Sequence, residues 1–325
     1  MRVLMAGSSG MVGKAVSEFL IRNECPVVKL VRRPVSNDVT EIFWDPEKGE
    51  LEESKLNEFD VVIHLGGYNI AKKVWSSRVK KRIMNSRVNS TKLLAEKLAS
   101  LKSKPKVFIV ASGVNVYGYT EEGDEAFTES SKLNGTDFLS EVVRAWEGAT
   151  KAASDAGIRV VNTRFAAVIG RDGGLLKKVL PIFKMAAGGK LGKGKQIMSW
   201  VDLDDVVGII WHILQNDDIK GPVNVVAPNP VSNKVFTKAL AKAVGLPAFL
   251  PVPEFIIKTV FAEMGEVLML SSLSCSSEKL ESYEFKCPTI RESLNNQLGV
   301  NVDGSEVETK QEDKKEDANE GENTA

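Results

Sequence analysis

The chain has 325 residues, 43% of them hydrophobic, with 43 basic and 43 acidic side chains. That length buries a full α/β core, and the even charge argues against nucleic acid as the main partner. No stretch approaches the ~20 consecutive apolar residues of a membrane span, so no membrane partner is expected. Cys25, Cys275 and Cys287 are odd in number and lack C-x-x-C spacing, which excludes a disulfide framework or a zinc site as the organising feature. The charge is uneven along the chain: residues 300–325 hold nine acidic side chains against three lysines, leaving the body with a net charge of +6. A segment so polar cannot offset its ordering entropy and is predicted to be disordered. The first strand begins at the second residue, leaving no room for a targeting peptide; a cytoplasmic location is expected, or an organelle if a presequence has been trimmed.

In chain order, Arg2 to Ala6 reads as a buried strand, GSSGMVG (Gly7 to Gly13) as a glycine turn, and Lys14 to Leu20 as an amphipathic helix. Cys25 to Val31 returns as a second strand ending in Arg32-Arg33-Pro34, which completes a βαβ unit. Short strands follow at Val39 to Trp44 and Phe59 to Gly67, a long helix at Ser76 to Ala99, and a strand at Val107 to Ala111. Residues 113–136 form a polar loop beyond the carboxyl end of that strand, where α/β sheets place ligands. The pattern continues with helix Asp137 to Asp155, strand Ile158 to Phe165, helix Leu175 to Ala187, strand Gln196 to Trp200, helix Asp204 to Gln215, strand Gly221 to Ala227 and helix Ser232 to Val244, capped by Ser232 or Asn233. Proline punctuation from Leu246 onward suggests a small C-terminal lobe. The predicted fold is α/β, a Rossmann-type doubly wound parallel sheet. Residues 1–170 would form the nucleotide-binding domain, 171–299 would complete the sheet and form a substrate lobe, and 300–325 would be the tail.

The turn carries the chemistry. Glycines at 7, 10 and 13 permit a tight turn, close approach of a pyrophosphate and close helix–strand packing, and the helix start directs N–H groups at the anion. An NAD site needs an acid at the end of the second strand; this chain has Val31, Arg32 and Arg33 there. A guanidinium suits a 2′-phosphate, so NADP(H) is the expected cofactor. The loop from Gly188 to Lys195 lacks the Ser/Thr that completes a P-loop, and reads as a turn beside the substrate cleft. The basic run Arg78 to Arg82 lies in one amphipathic helix, and no nucleic-acid partner is expected. His64 and His212 are lone histidines without metal-ligand spacing, and no metal is expected.

Taken together, GSSGMVG, Ser112 with Val116-Tyr117-Gly118, and Arg164 with Val168-Ile169-Gly170 resemble the extended short-chain dehydrogenase/reductase superfamily. Ile70 with Trp75, Asn85-Ser86-Arg87, Phe138-Leu139-Ser140-Glu141, Trp146-Glu147, Pro181 to Lys184, Ser199 to Asp205, Gly221 to Asn224 and Leu250 to Pro253 are similar to its atypical epimerase-family branch. The resemblance covers residues 1 to about 298. It implies cofactor contacts at Gly7, Ser9, Gly10, Met11, Val12, Gly13, Val31, Arg32, His64, Leu65, Arg82, Arg87 and Val168. It also marks a departure: the superfamily's acid–base pair is Tyr-x-x-x-Lys, and helix 138–147 contains neither residue. Ser112 and Tyr117 are the remaining candidates for catalysis, as hydroxyls near the expected nicotinamide site. The expected function is an NADP(H)-binding oxidoreductase or epimerase-like protein acting on a small polar substrate, the alternative being a non-catalytic NADP(H)-binding regulatory or scaffold protein.

Overall fold

In the computed structural model, which describes residues 1–300, the Val/Ile/Leu runs become strands and the periodic segments helices; the expected acidic tail at 301–325 lies outside the described residues. The strands are β1 (Val3–Ala6), β2 (Val27–Val31), β3 (Glu41–Asp45), β4 (Glu50–Leu51), β5 (Val61–His64), β6 (Val107–Gly113), β7 (Arg159–Phe165), β8 (Ala167–Ile169), β9 (Ile197–Met198), β10 (Trp200–Asp202), β11 (Gly221–Val225) and β12 (Val231–Ser232). The helices are α1 (Met11–Arg22), α2 (Ser77–Ser100), α3 (Phe138–Gly148), α4 (Lys151–Asp155), α5 (Gly174–Lys184), α6 (Leu203–Gln215), α7 (Asn233–Val244), α8 (Glu254–Gly265) and α9 (Ile290–Leu298).

The main sheet runs β11-β7-β6-β5-β1-β2-β3-β4. Every neighbouring pair is parallel except β3 with β4. Strand order reverses between β1 and β5, the switch point where doubly wound sheets bind ligands beyond their carboxyl ends. Leucines of α2, Trp146 of α3 and Ala153 of α4 pack one face of the sheet, around Leu4, Val62, Phe108 and Val110. Val16 and Leu20 of α1 and Val206, Ile209, Ile210 and Ile213 of α6 pack the other. All four residues of β1 are buried, which is why no polar residue interrupts them.

Beyond β8, Ile169, Leu176, Phe183, Trp200, Phe236, Leu240, Ile290 and Leu294 form a separate apolar cluster, bringing α5, α7 and α9 around β8 and β10. Two expected elements are divided. The helix predicted over 137–155 breaks between α3 and α4, where the Thr150 hydroxyl donates to the Glu147 carbonyl and competes with the helical ladder. The strand predicted over 196–200 is two short strands. Met198 pairs with Val231 antiparallel, whereas Trp200 to Asp202 lie parallel to Ala167 to Ile169. Ser232, one of the two expected caps, accepts the Val235 N–H at the start of α7. Among the described residues no helix is long and apolar enough to cross a membrane.

Candidate dinucleotide site

The glycine turn connects β1 to α1 at the reversal of strand order. Gly7 has φ +82°, and a Cβ there would lie 2.6 Å from the Gly66 nitrogen, so the turn rests directly on the chain leaving β5. A Cβ on Gly13 would lie 2.1 Å from the Gly7 carbonyl oxygen. At Gly10 the nearest such contact is 3.4 Å, which leaves room for an approaching group. Gly10 is the N-cap of α1 and no side chain caps that end. The N–H groups of Met11, Val12 and Gly13, the first turn, thus face outward with the positive end of the helix dipole behind them, an anion-binding arrangement. Ser9 is exposed at the tip of the turn.

Val31 ends β2, and the two arginines that follow separate cleanly. Arg33 is held by Glu41 through paired contacts at 3.0 and 2.5 Å, and it keeps the Glu41 carboxyl well below the usual range, with Ser36 assisting. Arg32 is exposed and makes no ion pair or hydrogen bond among the described residues, so its guanidinium is available beside the switch point.

At the exit of β5, His64 is fully buried. Its Nδ1 accepts from the Gly66 N–H at 3.3 Å, which leaves Nε2 protonated to donate to Ser90 Oγ at 2.8 Å. Burial, reinforced by the nearby Arg87 charge, pushes the imidazole down to about 3, so it stays neutral. Its side chain is fully committed, and the backbone that lies against the turn at Gly7 is that of Leu65 and Gly66. Arg87 donates to the carbonyls of Tyr68 and Ile83 and lies 4.9 Å from the Trp146 ring; burial pushes its guanidinium down to about 10. Arg82 lies 4.6 Å from the Tyr68 ring.

Ser112 and Tyr117 are both buried, within one polar network. The Ser112 hydroxyl donates to Glu147 at 2.6 Å. The same carboxylate receives Arg164 through Nε and Nη2, both at 2.8 Å, a bidentate pair. Arg164 Nη1 donates to the Tyr117 hydroxyl at 2.7 Å, which donates in turn to Asn224 Oδ1 at 2.8 Å. Glu129 closes the network by accepting the Asn224 N–H at 2.8 Å. Burial pushes the Tyr117 phenol up to about 12 despite the adjacent Arg164 charge. Composition alone gave no sign of the roles of Glu129 and Asn224. Glu129 comes from the polar loop and Asn224 from β11, 95 residues apart in sequence. Helix α3, FLSEVVRAWEG, carries neither Tyr nor Lys; its Leu139 and Val143 are buried, and Leu139 joins an apolar cluster with Trp75 and Ile83.

Val168 lies in β8, one residue before the Ile169-Gly170 step. Cβ atoms on Gly170 and Gly173 would meet the Met11 sulfur at 2.5 and 2.7 Å, so this segment forms the second wall of the cradle. Asp202, Asp205 and Cys287 form a buried cluster within 4.8 Å, but hydrogen bonds occupy both carboxylates. Asp202 receives Ser293 and Gln297 of α9, and Asp205 receives the N–H groups of Lys286 and Cys287. Burial lifts Asp202 to about 6. A cavity of about 580 Å³ opens between the first turns of α2 and α3, lined by Lys80, Lys81, Asp137, Phe138 and Glu141, with Glu263 of α8 on its rim.

The model of the NAD dependent epimerase/dehydratase family matches residues 3–226. The chain belongs to that family. Among curated members, it is 34% identical over 294 residues to the Mycobacterium leprae epimerase family protein ML0860, covering 90% of this chain and 94% of that protein. It is 33% identical over 306 residues to the chloroplastic SDR39U1 homolog of Arabidopsis thaliana, covering 90% and 86%. The crystal structure of human epimerase family protein SDR39U1 (isoform 2) with NADPH superposes with a TM-score of 0.84 at 28% identity, covering 92% of this chain and 99% of that one.

Proposed function

We propose that the protein binds NADP(H) in the Gly7–Gly13 cradle and works as an oxidoreductase or epimerase-like enzyme on a small polar substrate. The observation that carries the cofactor reading is the contrast at the end of β2, where Arg33 is spent on Glu41 and Arg32 has no partner among the described residues. A free guanidinium there matches a 2′-phosphate, and the open first turn of α1 matches a pyrophosphate. The relative crystallised with NADPH supports the same choice. Bound NADP(H) supplies a hydride donor or acceptor. The N–H groups of Met11 to Gly13 would hold its phosphates, Leu65 and Val168 would bound its path, and Arg82 and Arg87 would set the positive field of the α2 wall.

Ser112 has a defined polarity in this reading. Its proton is donated to Glu147, so its lone pairs are left to accept, and the group that meets it is a hydroxyl or amide donor rather than a carbonyl oxygen. Tyr117 would act through Arg164, holding the Glu147 pair in register. The mixed charges of Lys80, Lys81, Asp137 and Glu141 suit a polar substrate at the neighbouring cavity. The alternative of a non-catalytic NADP(H)-binding protein is favoured by the absence of both Tyr and Lys from α3. Fluorescence titration with NADPH and NADH tests the cofactor, and an NADPH-oxidation screen over aldehydes, ketones and nucleotide sugars tests turnover. Equal affinity for the two cofactors would refute the Arg32 argument, and turnover abolished by Ser112→Ala would exclude the non-catalytic reading.

A further inference from the structure

The segment between β5 and α2 forms a strap that touches the glycine turn at Gly66 and α5 at Ala71. Its base is fixed to α2, where the Tyr68 N–H donates to Ser86 Oγ at 2.9 Å and Arg87 Nη1 donates to the Tyr68 carbonyl at 2.9 Å. Tyr68 and Ile70 pack in one apolar cluster with Phe261 and Met264 of α8. At its far point, the Ala71 carbonyl accepts a hydrogen bond from Lys178 Nζ of α5. Each of the two segments joined by this bond also touches the turn, Gly66 against Gly7 and Gly173 against Met11. The contacts Gly7–Gly66, Ala71–Lys178 and Gly173–Met11 thus link the turn, the strap and α5 into a closed ring that includes the α1 N-terminus. Lys178 is exposed, and the Ala71 carbonyl is the one partner its ammonium has among the described residues.

We propose that Lys178 is a positioning residue of the dinucleotide site, latching the 66–74 strap to α5 so that a dinucleotide enters and leaves only when this bond opens. The inference rests on the cradle taking NADP(H). A ligand lying on the Met11 to Gly13 amides would sit beside this ring, where the strap could retain it. One exposed hydrogen bond is worth a factor of a few in an equilibrium, small enough to open on the timescale of loop motion.

A latch and a ligand contact differ in their kinetics. A latch gates both directions, so Lys178→Ala is expected to raise the association and dissociation rates of NADPH together, about three- to tenfold, with the dissociation constant changed less than twofold. Lys178→Arg, which can still donate to the Ala71 carbonyl, should restore wild-type rates. Stopped-flow fluorescence of the full chain with NADPH measures both. Unchanged rates in Lys178→Ala with intact binding, or a rise in dissociation alone, would overturn the latch and leave the cofactor site standing. An absence of saturable NADPH binding to the unmodified protein would overturn the cofactor reading and the latch with it.

Discussion

Gly10 and Gly13 stand three residues apart in one turn, and replacing each with alanine should give opposite outcomes. Helix propensity alone favours alanine over glycine at Gly13 by about 1 kcal/mol, because Gly13 lies inside α1. The structure reverses that expectation. The new methyl would sit 2.1 Å from the Gly7 carbonyl oxygen, 2.8 Å from the Gly7 carbonyl carbon and 2.8 Å from Ser8 Cα, all backbone atoms that cannot rotate away. Overpacking of a tight core costs about 1–3 kcal/mol, and a contact this short belongs at the upper end, leaving a net loss of roughly 1–2 kcal/mol. At about 2–4 °C per kcal/mol for a large domain, Gly13→Ala should melt roughly 2–8 °C lower. At Gly10 the methyl meets nothing nearer than 3.4 Å, and the only folding cost is an N-cap exchange of roughly 0.5–1 kcal/mol. That methyl projects into the space the cofactor phosphates would take, so Gly10→Ala should weaken NADPH binding at least tenfold with little change in melting. Thermal melts with and without NADPH, together with NADPH titrations, separate the two effects. An unchanged melting temperature for Gly13→Ala, or wild-type affinity for Gly10→Ala, would refute the assignment of packing to one glycine and ligand approach to the other.

Other residues give independent checks. Arg32→Ala should remove the preference for NADPH over NADH, while Arg33→Ala should lower stability slightly and leave the preference intact; titration of both variants with both cofactors decides it. His64 is held neutral far below its ordinary value of 6.5, at about 3, so its contribution to stability is present above pH 6.5 and lost as pH falls toward 3. The shift corresponds to about 4–5 kcal/mol at most. Asp202, raised from 3.8 to about 6, works in the opposite sense, since stability falls as pH rises through its folded value. Urea denaturation of wild type and His64→Gln between pH 4 and 7.5 isolates the histidine: the variant should lose the extra acid lability, and parallel pH curves would contradict the buried neutral ring. Tyr117→Phe removes the acceptor of Arg164 Nη1 and the donor to Asn224 Oδ1, leaving two buried polar groups unpaired at about 1–3 kcal/mol. A change under about 0.5 kcal/mol in chemical denaturation would show that water replaces the hydroxyl and that the network does not depend on it.

The local features of this protein were legible from residues close together in the chain. Buried strands of Val, Ile and Leu, the glycine turn, the βαβ unit, the arginines ending β2 and the missing Tyr-x-x-x-Lys pair each depend on spacing within about thirty residues, and backbone geometry dictates what such spacing builds. Backbone contacts at Gly7 to Gly13 belong to this class, because glycine is required wherever two backbones touch.

What depended on the tertiary structure was which polar groups remain free. Arg32 and Arg33 are indistinguishable in sequence, and only β3, lying beside β2, brings Glu41 to occupy one and leave the other. Ser112 and Tyr117 read as available hydroxyls until α3 and β7 deliver Glu147 and Arg164 and β11 delivers Asn224. The strap held by Lys178 likewise depends on a partner far away in the chain, the Ala71 carbonyl 107 residues earlier. A side chain's chemistry is intrinsic to its type, but its availability is settled by the neighbours that folding brings within hydrogen-bonding distance.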